Sequence, residues 1–245
     1  MYKKEHADMI RAMIKLQDEM NTRVNPNWRK ADYPWYRAIW VECAEMMGHN
    51  GWKWWKKQEP NLAQLHLELV DIWHFGLSDL MVNSRPGRGV DDIVDVFRLW
   101  QDDEHPDVCQ LIEDLAANTL GDEMFYLNGF TRLCANVGLP LEALYRQYIG
   151  KNALNMFRQD NGYKTGEYIK HWDRTTGAED NVYLAKLLAR DDLPVEALFE
   201  HIYTALAAEY AEVKRDDLPV EALFEHIYTA LAAEYAEVKR DCGAA

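Results

Sequence analysis

Apolar residues recur along this chain at helical spacing. Between residues 6 and 21, Ile10, Met13, Ile14 and Met20 share one face and predict a first helix. Trp35, Ala38, Ile39, Glu42, Glu45 and Met46 fall on one broad face of a second. Leu62, Leu65, Leu69, Ile72, Trp73, Gly76 and Leu80 form the stripe of a third, with Glu68, Asp71 and Phe75 along its border. Asn61, with Gln64 three residues later, reads as the N-cap of that third helix. Asn25-Pro26 and Asp32-Tyr33-Pro34 break the chain before the second helix, and Gly48 to Gly51 and Glu59-Pro60 break it before the third. Beyond a loop at Asn83 to Gly89, residues 93 to 100 are again helical in pattern, followed by the acidic, Pro-containing stretch 102 to 106. One or two helices cover 108 to 135, and Gly138-Leu139-Pro140 restarts another that runs towards Asn155. The expected fold is all-α.

Two of these helices carry paired acids. Glu42-x-x-Glu45 and Glu68-x-x-Asp71 are separated by 22 residues, and residues three apart on a helix are neighbours on one face. If the helices lie antiparallel, all four carboxylates point into one gap. They would raise one another's pKa unless a cation sat between them. Mg²⁺ suits such a site, because it takes hard oxygen ligands and keeps waters that substrate phosphates can replace. The plain alternative is that the acids are the wet faces of two amphipathic helices, in a chain with 41 acidic residues. Two amides, Gln17 and Asn21, interrupt the apolar face of the first helix. They are either core amides bonded to a neighbouring backbone or groups that read a ligand's polar edge, as uracil's two carbonyls and one N–H would require. Trp52, Lys53, Trp54, Trp55, Lys56 and Lys57 combine rings that can stack on a base with cations that can meet phosphates, although part of the group is expected to be core tryptophans and solvated lysines. Lys151, Asn155 and Arg158 share a helical face, which is either a solvated helix surface or, with Lys164, a cationic wall opposite the acids.

These strings resemble a known family. Glu42-Cys43-Ala44-Glu45, Trp52-Lys53-x-Trp55-Lys56 and Glu68-Leu69-Val70-Asp71-Ile72-Trp73-His74-Phe75 look like the dimeric dUTPases of the all-α NTP pyrophosphatase superfamily. So does the stretch from Tyr148 to Gln159 with Gly162-Tyr163-Lys164, and the likeness covers roughly residues 6 to 80 and 120 to 190. The resemblance implies a four-helix core in which the two acidic helices pack together. It also implies a homodimer whose active sites draw on both subunits, and Mg²⁺-dependent hydrolysis of dUTP, and of dUDP, to dUMP by a metal-activated water. Glu42, Glu45, Glu68 and Asp71 would be the catalytic metal ligands, with Glu42 placing the water. Gln17 and Asn21 would face uracil, Trp55 would flank the base, and Lys53 and Lys56 would contact phosphates. Phe75 would crowd the sugar C2′ position. His74, Lys151, Asn155, Arg158, Tyr163 and Lys164 complete the implied substrate site. Two other readings stay open: a dCTP/dUTP or broader MazG-like pyrophosphatase, and a non-catalytic helical binding protein.

Composition narrows the picture further. A formal charge of −14 argues against nonspecific binding to nucleic acid or an anionic membrane. No run reaches the length of a membrane helix and the N-terminus has no apolar leader. The four cysteines lack CxxC spacing, so a reducing, cytoplasmic setting is expected. Cys43 reads as a small buried residue. By organisation, residues 1 to 190 form the pyrophosphatase domain, with 83 to 106 a variable insertion or lid that matches the family poorly. Residues 191 to 215 then recur without a change at 216 to 240. Each copy reads as one amphipathic helix with Pro in its first turn and Val195, Leu198, Phe199, Ile202, Leu206 and Val213 as the stripe. The family needs only one terminal helix, so the second copy is expected to be surplus.

Overall fold

A computed structural model describes residues 2–83, 89–100, 107–173, 175–190 and 193–216. Among them are nine α-helices and no strand. In chain order they are α1 (Tyr2–Val24), α2 (Trp35–Asn50), α3 (Leu62–Asn83), α4 (Val90–Leu99), α5 (Val108–Asp122), α6 (Leu127–Asn136), α7 (Leu141–Asp160), α8 (Asp180–Leu188) and α9 (Val195–Asp216). Single 3₁₀ turns lie at Trp28–Lys30 and Tyr163–Thr165. The all-α expectation holds, and the region 108 to 135 is two helices. No helix among the described residues is long and apolar enough to cross a membrane.

Helix α3 is the centre of the molecule. It packs against α1, α2, α6, α7 and α8, and its contact with α2 is the most extensive in the chain. The apolar stripe accounts for only part of this burial. Leu67, Val70 and Leu77 are buried as deeply as Leu65, Leu69, Ile72 and Trp73, whereas Leu62 is half exposed. A helix covered on all sides has no need of a polar face. Together α1, α2, α3 and α7 make a four-helix core. Trp73 anchors a second cluster, its ring stacked 5.2 Å from Phe130 and edge-on to Phe97 at 5.7 Å.

The approach of α3 to Phe125 requires Gly76. A Cβ built there would stand 2.6 Å from the Phe125 ring. Gly76→Ala is therefore expected to destabilise the fold by about 1–3 kcal/mol, the range for overpacking a filled core. Urea unfolding measures it, and an unchanged midpoint would contradict the packing described.

Within the expected insertion, α4 turns Ile93, Val94 and Phe97 inward and packs on α1 and α6. None of its residues lines the cleft described below. Helix α9 is the first copy of the repeated segment. It packs on α7 and α8 with Leu198, Ile202, Leu206, Tyr210 and Val213 buried. Tyr210 extends the expected stripe. Apart from Asp216, the second copy lies outside the described residues.

Candidate active site

A cleft of about 650 Å³ opens between α1, α2, α3 and α7. The α2–α3 hairpin builds its acidic end. Gly51 ends α2 in the left-handed region (φ 82°), which a glycine enters without a Cβ penalty. The Asn61 N–H returns to the His49 carbonyl at 2.8 Å. Asn61 Oδ1 then accepts the Gln64 N–H at 3.3 Å, the expected cap of α3. The hairpin so closed lays Glu42 and Glu45 opposite Glu68 and Asp71, and all four line the cleft. Carboxylate oxygens of Glu42, Glu68 and Asp71 lie within 4.8 Å of one another. Glu45 is exposed at the rim.

Crowding and burial set the charge state of these acids. Burial, then the charges of Asp71, Glu68 and Glu45, push Glu42 from the usual carboxylate range up to about 9. Burial and the Asp71 charge push Glu68 up to about 7, although Lys151 and a hydrogen bond with Glu42 oppose the rise. Two nitrogen groups stand against the acids, and the Lys151 ammonium offsets part of the repulsion. Lys151 Nζ meets Asp71 at 2.7 Å and His49 Nε2 meets Glu68 at 3.2 Å. A hard divalent cation fits the remaining need, since three convergent carboxylates bring more negative charge than the neighbouring side chains neutralise. Cys43, inside the acidic motif, is buried, and desolvation with the Glu42 charge pushes its thiol up to about 12, so it is not a nucleophile.

The other end of the cleft is a polar network inside an aromatic frame. Tyr148 Oη and His74 Nδ1 both reach Gln17 Oε1, at 2.9 and 2.6 Å. Gln17 Nε2 donates to Asn21 Oδ1 at 3.0 Å, and Asn21 Nδ2 donates to Ser78 Oγ at 2.8 Å. His74 stacks on Tyr148 with ring centroids 4.2 Å apart. Burial lowers the His74 pKa to about 4, so the imidazole is neutral. With Gln17 Oε1 as the acceptor, the ring proton sits on Nδ1 and Nε2 is left as an acceptor. Nε2 is buried and has no partner among the described residues. Gln17 and Asn21 are thus bonded to side chains and not to backbone as the core reading expected, and both line the cleft. Trp28, Tyr33, Trp35, Met20 and Phe75 form the apolar walls.

The expected cationic wall is only partly assembled. Asn155, Arg158 and Tyr163 line the cleft. Arg158 is held bidentately by the fully buried Asp180, Nε to Oδ2 at 2.8 Å and Nη2 to Oδ1 at 2.7 Å. Lys151 does not line the cleft. It is 1 % exposed and engaged with Asp71 and with Asn181 Oδ1 at 2.8 Å, so its charge acts on the acids. Lys164 turns away and donates to the Val24 carbonyl at 2.9 Å, pinning the 3₁₀ turn to the end of α1. Lys53, Trp55 and Lys56 also lie off the cleft, on the α2–α3 connection, where Trp54 is 89 % exposed and Trp55 packs edge-on against Trp52 and Trp54. Sequence reasoning missed His49, Asp180, Asn181 and the Trp28–Tyr33–Trp35 wall. The aromatic cluster around Pro34 was a usable signal for the wall, but the acid of Glu179-Asp180-Asn181 had no spacing to mark it.

A family model described as dUTPase matches residues 9–163, well over half of the chain. The chain belongs to the dUTPase family. No curated protein matches it. The matched segment runs from α1 to the Tyr163 turn and contains every cleft residue except Lys170 and Asn181. This dUTPase hydrolyses dUTP, and the divalent cation that the family implies finds a chemically suited donor set in Glu42, Glu68 and Asp71.

Proposed function

We propose that this dUTPase works with Mg²⁺ and converts dUTP to dUMP and pyrophosphate, and dUDP to dUMP and phosphate. The observation that carries the reading is the pairing of two ends in one cleft. At one end three carboxylates converge. At the other a buried, neutral imidazole presents a partnerless acceptor. Glu42, Glu68 and Asp71 hold the cation, with Glu45 joining from the rim. Bound there, Mg²⁺ would neutralise charge developing on the phosphate chain and acidify water. Glu42, whose proton affinity burial and the neighbouring acids raise, positions the attacking water. Lys151 and His49 keep Asp71 and Glu68 in place. Arg158 and Asn155 reach the phosphates from α7. His74 Nε2 takes a hydrogen bond from the substrate, from the uracil N3–H or a sugar hydroxyl, and Phe75 crowds the ribose 2′ position. Gln17 and Asn21 hold His74 in its acceptor form and line the base pocket.

The exposed Trp52, Trp54 and Trp55, with Lys53 and Lys56, are the surface on which we place a second copy of the chain. A homodimer would cover these rings and carry the lysines towards the neighbouring cleft. A negative chain without a membrane-crossing helix among its described residues suits a cytoplasmic enzyme acting on free nucleotides.

One panel tests the proposal. Purified protein is given each dNTP and rNTP, and dUDP, with Mg²⁺ or with EDTA, and products are resolved by chromatography. Cleavage confined to dUTP and dUDP, yielding dUMP and abolished by EDTA, is the expected result. Comparable turnover of dCTP would favour the broader pyrophosphatase reading. Turnover of UTP at the rate of dUTP would remove Phe75 from its assigned role.

A further inference from the structure

The cleft is tied to α9, which lies wholly beyond the matched family segment. Tyr210 of α9 is buried at 3 % exposure against three aromatic rings, those of Phe157, Tyr168 and Trp172. It stacks on Tyr168 with centroids 5.0 Å apart and 24° between planes, and Phe157 meets it edge-on at 5.4 Å. Its hydroxyl accepts the Ile169 N–H at 3.0 Å. Tyr168 in turn donates to Asp180 Oδ2 at 2.8 Å, the same oxygen that accepts from Arg158 Nε. The hydrogen bonds from Tyr168 to Asp180 and from Arg158 to Asp180 are both short and buried.

Packing alone does not account for Tyr210. An apolar residue would fill the same volume, as Leu206 and Val213 do along the stripe. The hydroxyl serves the N–H of a segment that belongs to no helix, and a part-buried N–H without an acceptor is costly. The ring fixes the plane of Tyr168, whose hydroxyl orients one oxygen of a carboxylate that otherwise bonds, among the described residues, only Arg158. A tilt of Tyr168 would therefore turn Asp180 and carry the guanidinium with it. Small displacements of a substrate clamp reduce catalytic efficiency steeply.

We infer that Tyr210 is a positioning residue of the hydrolysis, setting Arg158 against the substrate phosphates through Tyr168 and Asp180. The inference rests on the reading of Arg158 as a phosphate ligand. It makes the terminal helix part of the active-site support. The repeated segment carries Tyr235 at the equivalent position, so the test changes both tyrosines in the full chain.

Tyr210→Leu/Tyr235→Leu is expected to raise KM for dUTP about tenfold while kcat stays within about twofold, a split that a purely structural role would not produce. Tyr210→Phe/Tyr235→Phe keeps the rings, loses the hydroxyls and should raise KM about threefold. Arg158→Lys is measured beside them, with thermal melting of every variant. If Arg158→Lys raises KM and the tyrosine variants only melt lower, the inference is overturned and the phosphate reading of Arg158 stands. If Arg158→Lys leaves KM unchanged, that reading falls and the inference with it. Should the Leu variant fail to fold, the Phe variant decides, and an unchanged KM in it overturns the inference.

Discussion

Glu42→Gln and Asp71→Asn are each expected to cut dUTP turnover by about a thousandfold or more, roughly 4 kcal/mol of transition-state stabilisation. Both remove a hard anionic donor from the three that converge within 4.8 Å. Both keep the size of the side chain, so circular dichroism should show the helices intact. The pH dependence of stability should nonetheless set Glu42→Gln apart from the wild type in a way a folding defect would not. In the metal-free protein Glu42 holds its proton up to about pH 9, against 4.5 for the free side chain. Below about pH 4.5 both the folded and the unfolded chain bind that proton. As pH rises, the unfolded chain ionises while the folded one does not, so stability falls progressively until the pH passes about 9. Glu68, held up to about 7, adds to the fall over the lower part of that window. The Glu42→Gln chain cannot ionise at this position, and its melting temperature in EDTA should be the flatter function of pH and the higher one at about pH 8.5. Mg²⁺ binds the deprotonated carboxylates, so its stabilisation of the wild type should grow from about pH 6 to pH 8.5. Turnover within tenfold of wild type, or wild-type melting in EDTA that does not fall with pH, would sink this account of the site.

How far the chain could be read without its structure differs from element to element, for physical reasons. The acids and the amides were legible because each pair has helical spacing and interrupts or borders an apolar stripe. Asn61 was legible because capping is a local interaction. Helix α3 was legible as a helix but not as the centre. Periodicity reports one buried face, and Leu67, Val70 and Leu77 lie on a face that only the packing of several partners buries. Lys151, Asn155 and Arg158 do share a face, yet spacing does not say which residue reaches the acids. The structure gives that contact to Lys151 alone, at 2.7 Å from Asp71. The direction of the Trp–Lys connection is a property of a loop, with no period to reveal it. Asp180 is 22 residues from the arginine it holds, beyond any local rule, and only the return of the chain after the Tyr163 turn brings them together.

That last pair yields the other large effect. Asp180 is fully buried, and Arg158 is 8 % exposed. Burial raises the Asp180 pKa, but the hydrogen bonds and charge of Arg158 outweigh it and hold the carboxyl below its ordinary value. The two ions are therefore both charged in the folded protein. Asp180→Ala would leave the guanidinium buried without a counterion, and Tyr168 without its acceptor. Breaking a buried pair in this way costs about 3–5 kcal/mol. For a chain of this size that is a fall in melting temperature of roughly 10 °C. Activity should fall as well, since the unpaired guanidinium is free to turn towards the Asp71 side of the cleft. Adding Arg158→Met to Asp180→Ala should recover part of the lost stability but none of the activity, because no uncompensated charge then remains while the phosphate ligand is gone. Thermal melting and turnover of the two single variants and the double variant form a cycle that isolates the pair. An Asp180→Ala chain melting within about 2 °C of wild type would mean that the pair is solvated and does not hold the guanidinium. A double variant less stable than Asp180→Ala alone would show that the arginine contributes through packing and not through its charge.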